Sequence, residues 1–155
     1  MYPTPTPFKT QSIAVDHIHT LHVEHYGIPD GVPVVFLHGG PGCSWSRHVL
    51  RFFDPNYYRV LAFDQRGTWR SKPLGELENN TTGHLIADIE LLREMLGVER
   101  WIVFGGSWGS ALGVAYAQAH PARCMALLLR GVTLLRPGFE QWDFHTTRCL
   151  FPQAW

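Results

Sequence analysis

The sequence lacks the features that mark several common classes of protein. Its 13 basic and 13 acidic residues cancel, so no charge excess points to nucleic acid or an acidic membrane surface as a partner. No apolar run approaches the roughly 20 residues that span a bilayer. The amino terminus, MYPTPTP, has no basic and no apolar region, which argues against a signal peptide. We therefore expect a globular protein that binds neither nucleic acid nor membranes.

Cysteine is also scarce. Cys43, Cys124 and Cys149 are widely spaced and odd in number. Reduced thiols in a cytoplasmic protein fit this pattern better than a disulfide framework. The 155 residues, 45% of them hydrophobic, suffice for one domain with a sizeable core. Nothing in the sequence indicates an oligomeric state.

Apolar runs and helical patterns alternate from residue 34 to residue 130. Strands are predicted at residues 12–16, 20–26, 34–37, 59–63, 100–104 and 125–129, and helical stretches at residues 44–53, 85–96 and 110–117. This alternation predicts an α/β fold, a mostly parallel sheet flanked by helices on both faces. From residue 133 the pattern becomes irregular and aromatic. We therefore divide the chain into a core unit at residues 1–132 and the start of a second region at residues 133–155.

The segment Gly105-Gly106-Ser107-Trp108-Gly109 is the most informative part of the sequence. It is a G-x-S-x-G pattern between a predicted strand and a predicted helix, which is the setting of a nucleophile elbow. Such a turn holds the serine hydroxyl out at the top of the sheet, and the flanking Gly105 and Gly109 relieve crowding around it. We predict that Ser107 is a catalytic nucleophile.

A glycine-rich loop, His38-Gly39-Gly40-Pro41-Gly42, follows another predicted strand. In hydrolases with a nucleophile elbow, a loop at this position supplies one N–H of the oxyanion hole, and the residue after the nucleophile supplies the other. We predict the N–H groups of Gly40 and Trp108 as the two donors. A phosphate cradle is disfavoured, because the loop lacks G-x-G-x-x-G and the lysine and serine of a P-loop.

These motifs resemble those of the proline iminopeptidases, serine peptidases of the α/β-hydrolase fold. The resemblance rests on HGGPG at residues 38–42, DQRG at residues 64–67 and GGSWGS at residues 105–110, with further matches as far as residue 152. It implies release of N-terminal proline from peptides through an acyl-enzyme on Ser107, with Gly40 and Trp108 forming the oxyanion hole. It also implies that the enzyme needs no metal and no organic cofactor.

The resemblance covers only the N-terminal portion of the family pattern. In the family the catalytic Asp and His, the helical cap with its amine-binding acidic residues, and the last core strands all follow later in sequence. The resemblance thus implies a truncated α/β-hydrolase core of about six strands. We expect the 155-residue chain alone to be weakly active or inactive, with an exposed apolar sheet edge at residues 125–129.

Trp69 departs from the family, which usually carries glycine at this position. If the backbone there needs a positive φ, Trp69 must be strained or must swing outwards. Residues 144–148 also diverge from the family pattern.

Local histidines offer few replacements for the catalytic base. His120 lies about 20 Å from Ser107 along the predicted helix, and His38 is expected to be buried and hydrogen-bonded. His84 and His145 fall near the carboxyl ends of strands, so either could act as the base, although a solvated loop histidine is the plainer interpretation.

A second group of histidines could be interpreted as a metal site. It comprises His17, His19, His22 and His25. No cysteine or carboxylate pair completes the group and its spacing is irregular, so we prefer an exposed strand face and predict no metal.

Two functional alternatives remain open. The chain could belong to another α/β-hydrolase, such as an esterase, or it could be a truncated product without catalysis. An epoxide hydrolase or haloalkane dehalogenase would place aspartate at position 107, so Ser107 argues against both.

Overall fold

The computed structural model describes residues 1–135 and 138–153. All six predicted strands are present and form one sheet in the order β1-β2-β4-β3-β5-β6. The strands are β1 (Lys9–Ala14), β2 (Thr20–Gly27), β3 (Val32–Leu37), β4 (Tyr58–Phe63), β5 (Trp101–Gly106) and β6 (Cys124–Arg130). The α-helices are α1 (Thr82–Leu96), α2 (Trp108–Ala119) and α3 (Phe139–Leu150).

The sheet is mixed and mostly parallel, as predicted. Strand β3 pairs in parallel with β4 on one side and with β5 on the other, and β6 continues the parallel part. Strands β1 and β2 are added in antiparallel pairings beside β4. Strand β1 ends before its predicted limit, because the Asp16 carboxylate accepts the N–H groups of Ile18 and His19 and so closes a turn there.

Hydrophobic clusters cover both faces of the sheet. The larger cluster joins β1–β5 to α1 and α2, with Ile89, Trp101 and Leu112 fully buried. The smaller cluster lies on the opposite face and includes Leu50 and Phe53. The helix predicted there at residues 44–53 is a 3₁₀ segment, Arg47–Phe52, which buries only Leu50. With so little apolar surface to bury, tertiary packing does not stabilise a longer helix.

The two long helices of the core begin and end close to their predicted limits. Thr81 caps α1, and Gly97 ends it with a positive φ of 70°. Helix α2 stops at Ala119, just before Pro121. Helix α3 was not predicted. Its sequence is rich in aromatic and β-branched residues of low helix propensity, so that segment looked irregular.

Strand β6 lies at the end of the sheet and carries an apolar surface. Met125, Leu127 and Leu128 keep 39%, 39% and 46% of their surface exposed. In the described part of the chain, β6 pairs only with β5. None of the helices in residues 1–135 and 138–153 combines the length and apolar character that crossing a membrane requires.

The order of the central strands positions the candidate site. From β3 the chain moves to β4 on one side, and it then crosses to β5 on the other. Ligands of open α/β sheets bind at such a switch point, outside the carboxyl ends of the strands. Leu37, at the end of β3, is paired with Gly105, near the end of β5. The glycine-rich loop and the G-x-S-x-G turn therefore leave the sheet side by side.

Candidate active site

Ser107 occupies the sharp turn between β5 and α2. Its backbone has φ 55° and ψ −125°, a combination that costs a residue with a side chain about 1–3 kcal/mol. Its N–H donates to the carbonyl oxygen of Arg130 at 2.9 Å, and the residue is exposed to solvent. The turn thus holds a serine hydroxyl at the open end of the sheet, next to the amino terminus of a helix.

Gly105 and Gly109 let this turn pack against its neighbours. A Cβ atom on Gly105 would lie 2.2 Å from the carbonyl oxygen of Gly109. A Cβ atom on Gly109 would lie 2.0 Å from the carbonyl oxygen of Leu37. Both distances are far inside van der Waals contact, so neither position has room for any other residue.

Ser110 braces the turn from within α2. Its hydroxyl donates to the carbonyl oxygen of Ser107 at 2.6 Å, and its oxygen accepts the N–H of Thr133 at 3.0 Å. The side chain is fully buried. This role of Ser110 was not predicted, and the only signal for it in the sequence is a second serine three residues after the first.

The glycine-rich loop passes directly over Ser107. A Cβ atom on Gly39 would lie 3.3 Å from Cβ and 3.9 Å from Oγ of Ser107. Gly40 has a φ of 126°, which side chains disfavour. The N–H of Gly40 donates to no described backbone group. Trp108 is the first residue of α2, so its N–H has no partner within the helix either. The two predicted oxyanion donors are therefore unpaired amides on adjacent segments.

Gln65 connects these two segments. Its Nε2 donates to the carbonyl oxygen of His38 at 2.9 Å, and its Oε1 accepts the indole N–H of Trp108 at 3.0 Å. Its backbone N–H donates to Nε2 of His38 at 3.0 Å. Only 2% of the residue is exposed. Gln65 lies within the DQRG motif, but no feature of the sequence predicted that it connects these segments.

His38 is buried and hydrogen-bonded, as predicted. Because Nε2 accepts from Gln65, the ring proton lies on Nδ1, which donates to the carbonyl oxygen of Gly39 at 2.8 Å. Burial lowers the pKa of His38, although the Gly39 carbonyl and Asp64 oppose that effect. The imidazole is therefore neutral near pH 7, and both of its nitrogens are already used by the loop and the DQRG turn.

The DQRG turn is held by a buried ion-pair network. Nε and Nη2 of Arg66 donate to the two carboxylate oxygens of Asp88, each at 2.6 Å. Nη1 donates to Asp16 and to the carbonyl oxygen of Asn79. Burial alone would raise the pKa of Asp16, but the N–H groups of His19 and Ile18 and the Arg66 guanidinium hold it well below its usual value. This network fixes the turn that carries Gln65.

The backbone at Trp69 has a positive φ of 43°, which is the conformation considered above because the family usually carries glycine there. The side chain is 44% exposed. Its ring lies 3.9 Å from Cζ of Arg70, a cation–π contact. The strained backbone at this position is therefore accompanied by a stacking interaction that glycine could not make.

Two cavities flank the glycine-rich loop. A cavity of about 230 Å³ includes Ser107, Gly39 and Arg130 among its lining residues. The Arg130 guanidinium reaches within 3.6 Å of where a Cβ on Gly106 would be, so a positive charge lies beside the elbow. A cavity of about 750 Å³ lies on the other side of the loop and is bordered by Pro41, Gly42, Gln65, Leu77 and Trp108.

None of the candidate bases is hydrogen-bonded to Ser107 in the described part of the chain. His84 is part of the cap of α1, with Thr81. His120 stacks on Tyr116 at the far end of α2, and His145 is an exposed residue of α3 rather than of a loop. Among the side chains that the structure describes, none forms a hydrogen bond with the Ser107 hydroxyl.

The interpretation of the N-terminal histidines as an exposed strand face was wrong for two of them. His19 and His25 are 0% and 2% exposed. His19 precedes β2, in the turn that the Asp16 carboxylate closes, whereas His25 lies on β2, which is flanked by β1 and β4 and is therefore covered more than an edge strand. No group of three or more His, Cys, Asp or Glu side chains suited to a metal ion occurs in the described ranges.

Comparison with known proteins agrees with the fold. The sequence profile of a family described as the α/β-hydrolase fold matches residues 32–147. The chain belongs to the α/β-hydrolase fold family. This membership confirms the fold class predicted from the alternating strands and helices.

The chain is also similar to proline iminopeptidases over its whole length. It is 48% identical to one from Neisseria meningitidis, covering 100% of this chain and 51% of the relative. It is 51% identical to one from Xylella fastidiosa, covering 100% and 50%, and 47% identical to one from Arabidopsis thaliana, covering 100% and 41%. The chain thus spans about half the length of the curated relatives it matches.

Solved structures give the same fold. A proline iminopeptidase-related protein from Thermus thermophilus is 31% identical with a TM-score of 0.67, and the match covers 78% of this chain and 43% of that protein. A mutant epoxide hydrolase from Vigna radiata is 26% identical with a TM-score of 0.69, covering 92% and 44%. The α/β-hydrolase fold thus hosts both chemistries, and the residues of the site must distinguish them.

Proposed function

We propose that this chain carries the nucleophile and the oxyanion hole of a serine aminopeptidase that releases N-terminal proline from peptides. The observation that carries the proposal is the strained backbone of Ser107 at the end of β5, directly beneath Gly39 and beside the N–H of Trp108. The similarity to proline iminopeptidases over the whole chain supports the choice of substrate.

The proposed chemistry uses the elbow and the two unpaired amides. Oγ of Ser107 attacks the carbonyl carbon of the N-terminal proline and loses its proton to a base. The N–H groups of Gly40 and Trp108 stabilise the negative oxygen that forms. The proton then passes to the leaving nitrogen, the C–N bond breaks and the shortened peptide departs. Water hydrolyses the ester of proline with Ser107, which regenerates the hydroxyl.

The base and its orienting acid are inferred from the relatives. The resemblance implies a histidine and an acid that follow the nucleophile in sequence, and the matched relatives are about twice as long as this chain. We propose that these two groups, with the cap that selects proline, correspond to the portion of the relatives that this chain does not span.

Serine at position 107 favours this reaction over epoxide opening. Oγ of Ser107 forms an acyl ester that water can hydrolyse, whereas the epoxide hydrolases that share the fold are expected to use aspartate at this position. The positive charge of Arg130 and the two free amides beside the hydroxyl suit a developing oxyanion.

The proposal is tested by labelling and by turnover. A fluorophosphonate probe should modify the chain at Ser107, as mass spectrometry of the peptides would show. Labelling should be lost in Ser107→Ala and unchanged in Ser12→Ala, a control at an exposed position of β1. These labelling measurements use the protein in the length that its gene encodes, and absence of labelling there would contradict the presence of an activated nucleophile.

Substrate preference separates the peptidase from an esterase. With the protein in the length that its gene encodes, proline arylamides should be hydrolysed faster than arylamides of alanine or leucine. Turnover of p-nitrophenyl esters without turnover of proline arylamides would contradict the aminopeptidase and support an esterase.

We further propose that the protein acts in a reducing compartment such as the cytoplasm, on peptides rather than nucleic acid or membranes. The support is the zero net charge and the three unpaired thiols of Cys43, Cys124 and Cys149.

A further inference from the structure

We propose that Gln65 is a positioning residue that sets the relative placement of the two oxyanion donors. The inference rests on the proposed oxyanion hole of Gly40 and Trp108. It assigns to one buried side chain the task of connecting the loop that carries one donor to the helix that carries the other.

The need for such a connection follows from the backbone. The pairing of β3 with β5 ends at Leu37 and Gly105. Beyond that point, in the described part of the chain, no backbone hydrogen bond joins residues 38–42 to residues 105–110. Gly39 and Ser107 lie so close that a Cβ on Gly39 would be 3.3 Å from Cβ of Ser107, but this proximity does not prevent the two segments from separating.

The amide of Gln65 supplies the missing connection, and both of its ends are needed. The indole N–H of Trp108 can only donate, so it requires Oε1, and the carbonyl of His38 can only accept, so it requires Nε2. No other uncharged side chain of this size offers a donor and an acceptor in that arrangement. The distances of 2.9 and 3.0 Å are those of well-formed hydrogen bonds.

A third hydrogen bond, made by the backbone of Gln65, links this residue to the ring of His38. Its backbone N–H donates to Nε2 of His38, which leaves Nδ1 of that ring to donate to the carbonyl oxygen of Gly39. That carbonyl belongs to the peptide group whose N–H is the proposed donor of Gly40. The orientation of the donor is therefore linked to Gln65 through His38 as well.

Two substitutions separate the hydrogen bonds from simple packing. Gln65→Met keeps the size of the side chain and removes both of its hydrogen bonds. Gln65→Glu keeps the acceptor for Trp108 but sets a carboxylate oxygen against the carbonyl of His38. The matched control is Gln118→Met, at an exposed position of α2.

The first readout, on the protein in the length that its gene encodes, is the rate of Ser107 phosphonylation by a fluorophosphonate, with proline arylamide hydrolysis measured in parallel. We expect Gln65→Met to lower the phosphonylation rate by about tenfold to a hundredfold, because a displacement near 1 Å has effects of that size. Gln65→Glu should lie between Gln65→Met and the unmodified chain, and Gln118→Met should match the unmodified chain. If proline arylamides are not hydrolysed but phosphonylation still depends on Gln65, the proposed substrate is wrong and the proposed positioning role of Gln65 holds.

The second readout is independent of activity. In ¹H–¹⁵N NMR spectra, Gln65→Met should shift the amides of Gly40 and Trp108 and speed hydrogen exchange of the Trp108 indole. The Trp101 indole, bonded to the hydroxyl of Tyr116, reports that the core is intact. If Gln65→Met does not fold, Gln65→Glu carries the test. Unchanged amides and an unchanged Trp108 indole in a folded variant would overturn the proposal, whatever the rates.

Discussion

Gly109 lies so close to Leu37 that a methyl group on Gly109 would be 2.0 Å from the carbonyl oxygen of Leu37. This contact joins the first turn of α2 to the end of β3. Ser107 and the glycine-rich loop can therefore meet only because position 109 carries no side chain.

Gly109→Ala should destabilise the protein by about 3 kcal/mol or more, because the new methyl group meets backbone that cannot move aside cheaply. Urea denaturation gives the free energy of unfolding. Gly83→Ala is the control, since a Cβ there meets only Oγ1 of Thr81, at an ordinary 3.7 Å. That variant should be neutral or more stable by about 0.4–1 kcal/mol. Equal effects of the two substitutions would contradict the close approach.

Trp69 allows backbone strain to be separated from stacking. Trp69→Ala removes the ring from Arg70 and keeps a side chain at φ 43°. Trp69→Gly removes the same ring but relieves the strain. The glycine variant should therefore be more stable than the alanine variant by about 1 kcal/mol, as thermal and urea unfolding would show. The reverse order would mean that the position carries no strain.

Removing only one partner of the Arg66–Asp88 ion pair should lower the free energy of unfolding. Arg66→Met leaves the 2% exposed Asp88 without its bidentate partner, and we expect a loss of about 3–5 kcal/mol in the free energy of unfolding. The double variant Arg66→Met with Asp88→Leu should recover part of that loss. Arg148→Met, at an exposed position of α3, should change stability by less than about 0.5 kcal/mol. A double variant less stable than Arg66→Met would contradict the role of the unpaired carboxylate.

His25 should make the protein less stable in mild acid. Burial, together with the charges of Arg59 and Lys9, lowers the pKa of His25 to about 4. The folded chain thus favours the neutral ring, so this contribution is complete above the unfolded pKa near 6.5 and is lost as pH falls towards 4. Unfolding free energies measured across that range should fall by up to about 1.4 kcal/mol per pH unit for this group. His25→Leu should flatten the dependence and exposed His17→Leu should not; a slope unchanged in His25→Leu would exclude His25 as its source.

The strands were predictable because apolar runs of 4–6 residues bounded by turn residues seldom adopt any other secondary structure. The runs ending at Leu37 and Phe63 are examples, and both became buried parallel strands. Burial on β2 was less predictable. His25 occupies an interior position that its polarity did not suggest, because burial depends on which strands flank it.

The elbow and the glycine-rich loop could be located from local sequence, but the contacts that hold them together could not. Gln65 meets His38 and Trp108 across 27 and 43 residues of sequence. These contacts form because the chain passes from β4 to β5 on the other side of β3. No short sequence motif encodes that crossover. Helix α3 was not predicted for a different reason. Its aromatic and β-branched residues have low helix propensity, although the segment is helical.

The pairing of Leu37 with Gly105 has a consequence for how the site responds to heat. Because Ser107 and the glycine-rich loop follow the neighbouring strands β5 and β3, their spacing where they leave the sheet is set by the pairing of those strands, and Gln65 maintains it beyond the last pair. Warming that frays β1, at the far edge of the sheet, should leave this spacing intact, and Ser107 should lose its reactivity only when the pairing of β3 with β5 opens.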